Sequence, residues 1–323
     1  MPHKYIITGG SGFIGSHLIS QILDAGELDE IHVFDIIEPK FKNKNILFHF
    51  CDIRKPIHIN IDIAGATCFH LAALAKEPGY PWDDYFDTNY IGTINVINFC
   101  QEQGVKRIIY TSTMMVYRPG NERMTENSLT SPDTGYGISK LLGELILKAW
   151  SNDPSNILKI VRISVVFGKG ENGNFTRLFY ALKGRKFFYI GRKTTIKSNI
   201  YVKDVVRFLL FSITKDSKSV VYNLSFPDAY TIQKICDTFF KVFGFYRIIL
   251  VIPYSLAIAV GYCFELLSII GIKTSIHHRR IQKLYFSTNI EPSVLIKEGF
   301  TFNYNLESSL IDWQNDCESG NVY

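Results

Sequence analysis

The chain has 323 residues, enough at roughly 100–200 residues per domain for two domains or one large one, and 46% of them are hydrophobic, which supplies a sizeable core. Thirty-five basic against 30 acidic residues leave a net charge of +5. No Lys/Arg block is long enough for a nucleic-acid tail, and Lys40-Phe41-Lys42-Asn43-Lys44 reads as a solvated loop, so no nucleic-acid partner is expected. The six cysteines have no CxxC spacing and no His pair at zinc-ligand spacing, so the expectation is reduced thiols, no metal and a cytoplasmic location. No charged-then-apolar signal segment precedes the first strand.

The first predicted strand is Tyr5-Ile6-Ile7, followed by Thr8-Gly9-Gly10-Ser11-Gly12-Phe13-Ile14-Gly15 and a helix carrying Ile14, Leu18 and Ile22 at every fourth position. Strand, glycine-rich turn and helix in that order make a phosphate cradle. Gly10, Gly12 and Gly15 match G-x-G-x-x-G, and the helix N-terminus offers free N–H groups to a pyrophosphate. Further strands follow at Ile31-His32-Val33-Phe34-Asp35, Ile46-Leu47-Phe48-His49-Phe50, Thr67-Cys68-Phe69-His70-Leu71, Arg107-Ile108-Ile109-Tyr110-Thr111 and Leu158-Lys159-Ile160-Val161-Arg162. Helices are predicted over 84–103 and 136–150. Strands alternating with helices imply parallel pairing through right-handed crossovers, and near-continuous apolar strands imply a sheet covered on both faces. The expected fold is α/β: a doubly wound parallel Rossmann sheet with a smaller C-terminal α+β substrate domain. The expected division is 1–166 plus 199–226 for the first and 167–198 plus 227–323 for the second.

The second half is less regular. A loop over 168–174 precedes a helix over 175–183. Strands are expected at 199–202 and 220–224 around a helix over 205–214, and Thr231 caps a helix to about 243. Residues 248–264 are apolar apart from Ser255 and the tyrosines. Pro253, Gly261 and Glu265 favour a buried or partner-facing helix over about 254–270 rather than a membrane span; peripheral membrane contact is the alternative.

Asp35 ends the second strand 20 residues beyond Gly15, where a carboxylate can accept both ribose hydroxyls of an adenosine and repel a 2′-phosphate. NAD is therefore the expected cofactor, with Lys40 and Lys42 keeping NADP open. Asp52 can accept from the adenine amino group while Ile53 covers the ring. Leu71, Ala72 and Ala73 let the backbone run close to a ligand. Tyr136-Gly137-Ile138-Ser139-Lys140 puts a phenol and an ammonium on one helix face. The ammonium is expected to favour the ionised phenol, which ordinarily titrates near ~10, and so make an acid/base for an alcohol–ketone pair. Thr111-Ser112-Thr113 supplies hydroxyls at the carboxyl end of a strand, where the ligand crevice of such a sheet lies.

In these pieces the chain resembles an extended short-chain dehydrogenase/reductase, the NAD-dependent epimerase/dehydratase family. Asn89-Tyr90-Ile91-Gly92-Thr93 and Tyr201-Val202-Lys203-Asp204-Val205 complete the likeness, which covers about the first 225 residues in the family's order. The resemblance shifts the glycine spacing to Gly9, Gly12 and Gly15. It implies Tyr136 as acid/base, Lys140 as its partner and ribose ligand, Thr113 as hydrogen-bonder to the substrate oxygen, and Asn89 as a brace beside the nicotinamide. It also implies a homodimer through a four-helix interface built from 84–103 and 136–150.

Departures from the family narrow the reaction. Dehydratases carry Thr-Asp-Glu where this chain has Thr113-Met114-Met115, so no carboxyl group is available to protonate a leaving hydroxyl. An epimerase or reductase of a nucleoside-diphosphate sugar needs none: NAD takes up a hydride while Tyr136 takes the hydroxyl proton, and the hydride returns to the other face. Asn174, Lys197 and Arg279 are the candidates for the substrate diphosphate, with Arg280 beside the last. Val165 stands where nucleotide-sugar enzymes often have Asn. The alternatives are a 3β-hydroxysteroid or lipid-type dehydrogenase of the same superfamily, which the apolar 248–272 would suit, and a non-catalytic NAD-binding scaffold.

Overall fold

The structure is a computed structural model that describes residues 3–25, 29–40, 42–215, 217–245, 248–269 and 278–317; the side chains of 266–269, Arg279 and Arg280 lie outside that description. The elements run β1 (Lys4–Thr8), α1 (Phe13–Asp24), β2 (Glu30–Asp35), β3 (Ile46–Phe50), β4 (Thr67–His70), α2 (Trp82–Phe86), α3 (Gly92–Glu102), β5 (Arg107–Thr113), α4 (Gly135–Trp150), β6 (Ile157–Ile163), β7 (Val165–Phe167) and α5 (Asn174–Lys183). They continue with β8 (Tyr189–Ile190), β9 (Asn199–Tyr201), α6 (Val202–Ile213), β10 (Ser219–Leu224), α7 (Ile232–Phe243), β11 (Val251–Ile252), α8 (Tyr254–Ile269), α9 (His278–Tyr285), α10 (Ser293–Lys297) and α11 (Leu306–Cys317).

Seven parallel strands form the main sheet in the order β10-β6-β5-β4-β1-β2-β3. The chain winds outward from β1 through β2 to β3, returns to place β4 on the other side of β1, and then winds the opposite way. The strand order therefore reverses between β1 and β4, and at such a switch point the two loops diverge and leave a crevice. Two apolar layers cover the sheet. Leu18, Ile19 and Ile22 of α1 share one with Val205 and Leu209 of α6. Val96, Phe99 and Cys100 of α3 share the other with Leu147 and Trp150 of α4. The doubly wound expectation is met.

The helix expected over 84–103 starts at Trp82 and contains a π-helical turn, Asp87–Ile91, between α2 and α3. Single π turns recur at functional sites, and this one holds Asn89. The helix expected over 254–270 is α8, within one residue of the expected bounds. No helix among the described residues is long and apolar enough to cross a membrane. The short β7, β8 and β11 and the helices α9 to α11 were not legible in the sequence, because segments of 2–12 residues packed on a large neighbour need little periodicity of their own.

A buried polar network ties the second half of the sheet together. Glu144 of α4 receives Arg162 of β6 bidentately (Nε–Oε1 2.9 Å, Nη2–Oε2 2.6 Å) and Ser112 Oγ at 2.5 Å. Arg162 Nη1 also donates to Tyr117 Oη at 2.7 Å, and that hydroxyl lies 2.9 Å from Asn223 Oδ1 on β10. Glu144 and Arg162 are 0% and 3% exposed. Removing one partner of such a pair strands a buried charge. Glu144→Ala is therefore expected to cost about 3–5 kcal/mol, read as a lower urea midpoint; a loss below about 1 kcal/mol would contradict the pairing.

Candidate active site

The crevice begins at the glycine turn. Gly9 adopts φ +71°, and a Cβ there would stand 2.6 Å from Ala72 N; a Cβ on Gly15 would stand 2.5 Å from Gly9 O. Both glycines are required by backbone crossing backbone. Gly10, the first glycine of the motif as read by spacing alone, packs against Val33 instead, at 2.9 Å from its Cγ1. Gly12 differs: within 4 Å a Cβ would meet only Gly9 O, at 3.1 Å. That one contact is tight, but no other protein atom lies near, and the missing side chain leaves the N-terminus of α1 open to an anion. Asp35 closes the other side of the turn. Its Oδ2 accepts from Ser11 N at 3.0 Å and its Oδ1 from Ile37 N at 3.1 Å. The carboxylate is thereby held still at the end of β2, with lone pairs left for hydroxyl donors.

Asp52 is engaged by its neighbour: Arg54 donates to both carboxylate oxygens at 2.6–3.1 Å. Ile53 is buried, and its side chain would lie 2.7 Å from a Cβ on Gly92, so Gly92 lets α3 settle against it. Leu71, Ala72 and Ala73 leave β4 beside the glycine turn, with Leu71 N bonded to Thr8 O at 3.0 Å. Phe13 packs edge-on against His17, and Ile14 packs against the larger core.

A buried hydrogen-bond relay joins these pieces. Ala72 N donates to Thr8 Oγ1 (3.3 Å), which lies 2.7 Å from His70 Nδ1; His70 Nε2 lies 3.0 Å from Thr93 Oγ1, which donates to Asn89 O at 2.7 Å. Thr93 spends its proton on the carbonyl, so it accepts from His70 Nε2–H, and Nδ1 accepts from Thr8. Burial, with the Lys140 charge adding to it, pushes His70 down to about 3, consistent with this neutral tautomer. Asn89 is clamped further by its side chain: Oδ1 accepts from Leu74 N at 2.9 Å, and Nδ2 donates to Leu74 O at 3.1 Å and to Ser139 Oγ at 3.0 Å. Asn89 thus locks the loop after β4 to α4.

Helix α4 carries the tyrosine and the lysine. Thr134 caps it by accepting from Gly137 N at 3.1 Å. Gly137 itself has no room for a side chain, since a Cβ would stand 2.4 Å from Met115 O. Tyr136 lies within reach of the Thr113 hydroxyl, which lowers the phenol, while burial, the larger effect, raises it above its usual range. Lys140 is 1% exposed; burial pulls its ammonium down to about 7, against the opposing Glu144 carboxylate. The expected depression of the phenol by the ammonium is corrected here: desolvation acts on both groups and drives both toward their neutral forms. Lys140 Nζ has no hydrogen-bond partner and lies 4.0 Å from the Tyr110 ring centroid. A buried amine without an acceptor marks a place where a ligand hydroxyl fits. With the open face of Gly12 and the fixed Asp35 carboxylate, the crevice fits a dinucleotide.

Beyond Thr113 the crevice opens into a cavity of about 410 Å³, lined in part by Met114, Met115, Val165, Leu178, Leu284 and Phe286. Asn174 and Lys197 line it, as do Arg177 and Lys283, which the sequence reading did not single out. Asn174 Oδ1 accepts from Arg177 Nη2 at 3.2 Å. Lys197 Nζ donates to the carbonyls of Lys283 and of Phe286 (2.6 Å), closing the C-terminal end of α9. Burial, helped by the charges of Arg192 and Lys283, pulls this ammonium down to about 7. One of its three N–H groups remains for a ligand. Arg279 lies on α9 with its side chain outside the described residues, so its place at the site is not described. The three departures from family pattern, Met114, Met115 and Val165, all sit on this cavity and make its inner wall apolar.

Residues 5–225 match the NAD dependent epimerase/dehydratase family. The chain belongs to that family. It is thereby an NAD-dependent enzyme of the extended short-chain dehydrogenase/reductase type. A protein of Escherichia coli O157:H7 named N-acetyl-alpha-D-glucosaminyl-diphospho-ditrans,octacis-undecaprenol 4-epimerase is 28% identical over 320 residues, covering 96% of this chain and 94% of that protein. The 3 beta-hydroxysteroid dehydrogenase/Delta 5-->4-isomerase of Monkeypox virus is 30% identical over 221 residues, 62% of this chain and 63% of that one. Among solved structures, the UDP-N-acetylglucosamine 4-epimerase of Bacillus cereus superposes with a TM-score of 0.74 at 20% identity, over 99% of this chain and 98% of that one. That likeness shows the shared fold, including the smaller C-terminal region.

Lys140 gives a direct test of the crevice. Between pH about 7 and its ordinary value near ~10.4 the folded chain holds this amine neutral while the unfolded chain protonates it. The unfolded state then binds more protons, so Lys140 makes stability rise with pH across that window, by up to ~1.4 kcal/mol per pH unit. Lys140→Met is expected to flatten that rise in urea titrations and to weaken NAD binding about 10- to 100-fold, the worth of hydrogen bonds to a charged group. An unchanged pH slope would refute the buried amine; unchanged NAD affinity would refute its role as ribose ligand.

Proposed function

We propose that the protein is an epimerase acting at a carbinol carbon of a sugar carried on a diphosphate, in the general case a nucleoside-diphosphate sugar. The observation that carries this reading is the Tyr136–Lys140 pair beside Thr113, standing between the dinucleotide crevice and a cavity with cations on its wall. Two of the proteins named above, those of Escherichia coli and Bacillus cereus, share a sugar joined to a diphosphate and a 4-epimerase reaction, and only that shared part is carried over. Coverage favours it over the steroid alternative, whose relative aligns with 62% of this chain against 96%.

NAD, when bound, supplies hydride uptake and return. The remaining chemistry falls to side chains of this chain. Thr113 Oγ1 orients the substrate hydroxyl, and Tyr136 Oη takes its proton and later gives it back. Lys140 Nζ holds the ribose and favours the ionised phenol once ligands have displaced the remaining water. Asp35 would take the adenosine ribose hydroxyls, with Gly9, Gly12, Phe13, Ile14 and Gly15 around the pyrophosphate. Asp52 and Ile53 would flank the adenine, and Leu71, Ala72, Ala73 and Asn89 would form the nicotinamide side. Asn174, Arg177, Lys197 and Lys283 would meet the substrate diphosphate. Met114 and Met115 bring no carboxyl group to the leaving side of a sugar, which supports epimerisation over dehydration. The reading extends to a homodimer across α3 and α4, where Ile91 at the end of the π turn before α3 and Leu145 on α4 are exposed.

The deciding experiment incubates the protein with NAD and a panel of UDP-sugars, read by mass spectrometry and NMR. Epimerisation leaves the mass unchanged and inverts one carbon. Two added hydrogens would point to reduction, and loss of water to dehydration. Tyr136→Phe is expected to lower turnover at least about a hundredfold while NAD binding stays within about twofold; undiminished turnover would remove Tyr136 from the chemistry.

A further inference from the structure

Three apolar side chains surround the place where the reacting oxygen would sit. Met114 and Met115 follow Thr113 directly, in a 3₁₀ turn over Met114–Val116. Val165 lies two residues beyond Ile163, the register partner of Thr113 on β6. All three line the cavity of about 410 Å³ beyond Thr113.

The turn is pinned to both reacting groups. Met115 N donates to Thr113 Oγ1 at 3.1 Å, and Met115 O leaves no room for a Cβ on Gly137, the residue after Tyr136. Met114 packs on Val116, Tyr117 and Ile290. Tyr117 is in turn held by Arg162 at 2.7 Å and by Asn223 at 2.9 Å. The backbone of this wall is therefore set by the fold before a ligand arrives. Thr113 Oγ1 accepts from Met115 N and so keeps its own proton to donate to a substrate oxygen.

The carbons on either side of a carbinol held there are one bond away, so a substituent on one of them meets Met114, Met115 or Val165. None of these side chains carries an N–H or O–H group. The polar groups of the same cavity come from other segments. Asn174 and Arg177 belong to α5, Lys197 precedes β9, and Lys283 belongs to α9. Ser198 Oγ accepts from Ile290 N at 3.0 Å, and Thr288 Oγ1 is buried without a hydrogen-bond partner, which leaves it for one ring hydroxyl. A hydroxyl pressed against the methionines gives up its bonds to water without a replacement, whereas a methyl group gains by leaving water. The unbranched thioether side chains also close around a methyl group with little strain.

We propose that this wall selects a deoxy sugar: the preferred substrate carries a methyl group on the ring carbon next to the reacting carbinol, where a common hexose carries a hydroxymethyl group. For reaction at C4 this is a 6-deoxyhexose on a diphosphate. The proposal rests on the epimerase reading above. Met114, Met115 and Val165 are the residues that read the missing oxygen, and Thr113, Tyr136 and Lys140 keep the roles already given to them.

The test uses the full chain with NAD and compares UDP-6-deoxyglucose with UDP-glucose, which differ by one oxygen, and the corresponding pair with a 2-acetamido group. Initial rates are followed by NMR. In the pair that reacts, kcat/KM is expected to be about 10- to 100-fold higher for the 6-deoxy sugar, the upper end being the limit at which an apolar pocket rejects an added hydroxyl. Met114→Gln and Met115→Gln bring an amide to the wall, and at least one of them is expected to lower that ratio about fivefold or more. A variant that merely loosened the fold would slow both sugars together and leave the ratio unchanged. Equal kcat/KM for the two sugars of a pair in the wild type, a preference for the hydroxymethyl sugar, or a ratio unmoved in both variants would each overturn the selection and leave the epimerase reading intact. The wild-type comparison decides alone if melting curves show that the variants do not fold. A wild type that epimerises no sugar of either pair overturns the epimerase reading and the selection together.

Discussion

The structure depends on the close approach of β1 and β4 at the point where strand order reverses. Two backbones cross there with no room for a Cβ on Gly9, and the His70 relay holds them from Ala72 through Thr8 and Thr93 to Asn89. Every member is buried or at the crevice edge, so each unmade bond would leave a polar group without water. The relay makes the glycine turn, the loop after β4 and the π turn of Asn89 one rigid unit. A dinucleotide then meets walls that are already in place, and little binding energy is spent on ordering them.

The second rigid unit is α4. Its N-terminus is fixed by Thr134, its middle by the Glu144–Arg162 pair and its front by Asn89 Nδ2 on Ser139. Tyr136 and Lys140 lie on the span these anchors hold. Their desolvation raises the phenol and lowers the amine. The amine gains a favourable partner only when a hydroxyl or an ionised phenol reaches it.

The C-terminal region follows another logic. Its cavity is apolar where the sugar-nucleotide pattern would be polar, and its cations are committed in part to backbone carbonyls. Lys197 closes α9, and Lys283 Nζ reaches Glu77 O at 2.9 Å. These contacts tie α9 to the cavity wall.

Much of this was legible in the chain itself. Strand–turn–helix periodicity identified the doubly wound sheet, because buried parallel strands and two-sided helices leave a pattern that local chemistry cannot hide. Glycine spacing, Asp35 and the Tyr136–Lys140 pair placed the crevice, because each depends on neighbours within one turn or one strand end. Other features depended on distant partners. Gly9 rather than Gly10 is the turn glycine because of Ala72, 63 residues away in sequence. Glu144 sits four residues after Lys140, a spacing that marks one helix face, but only Arg162 on β6 reveals why it is buried. The titration of Tyr136 and Lys140 follows from desolvation, which exists only once the sheet and α4 enclose them. Sequence alone determined the fold class and the family, since those are written in short-range spacing. Tertiary structure decided the shape of the cavity, the cations that face it and the outward side of α8, since burial and exposure are properties of the assembled layers.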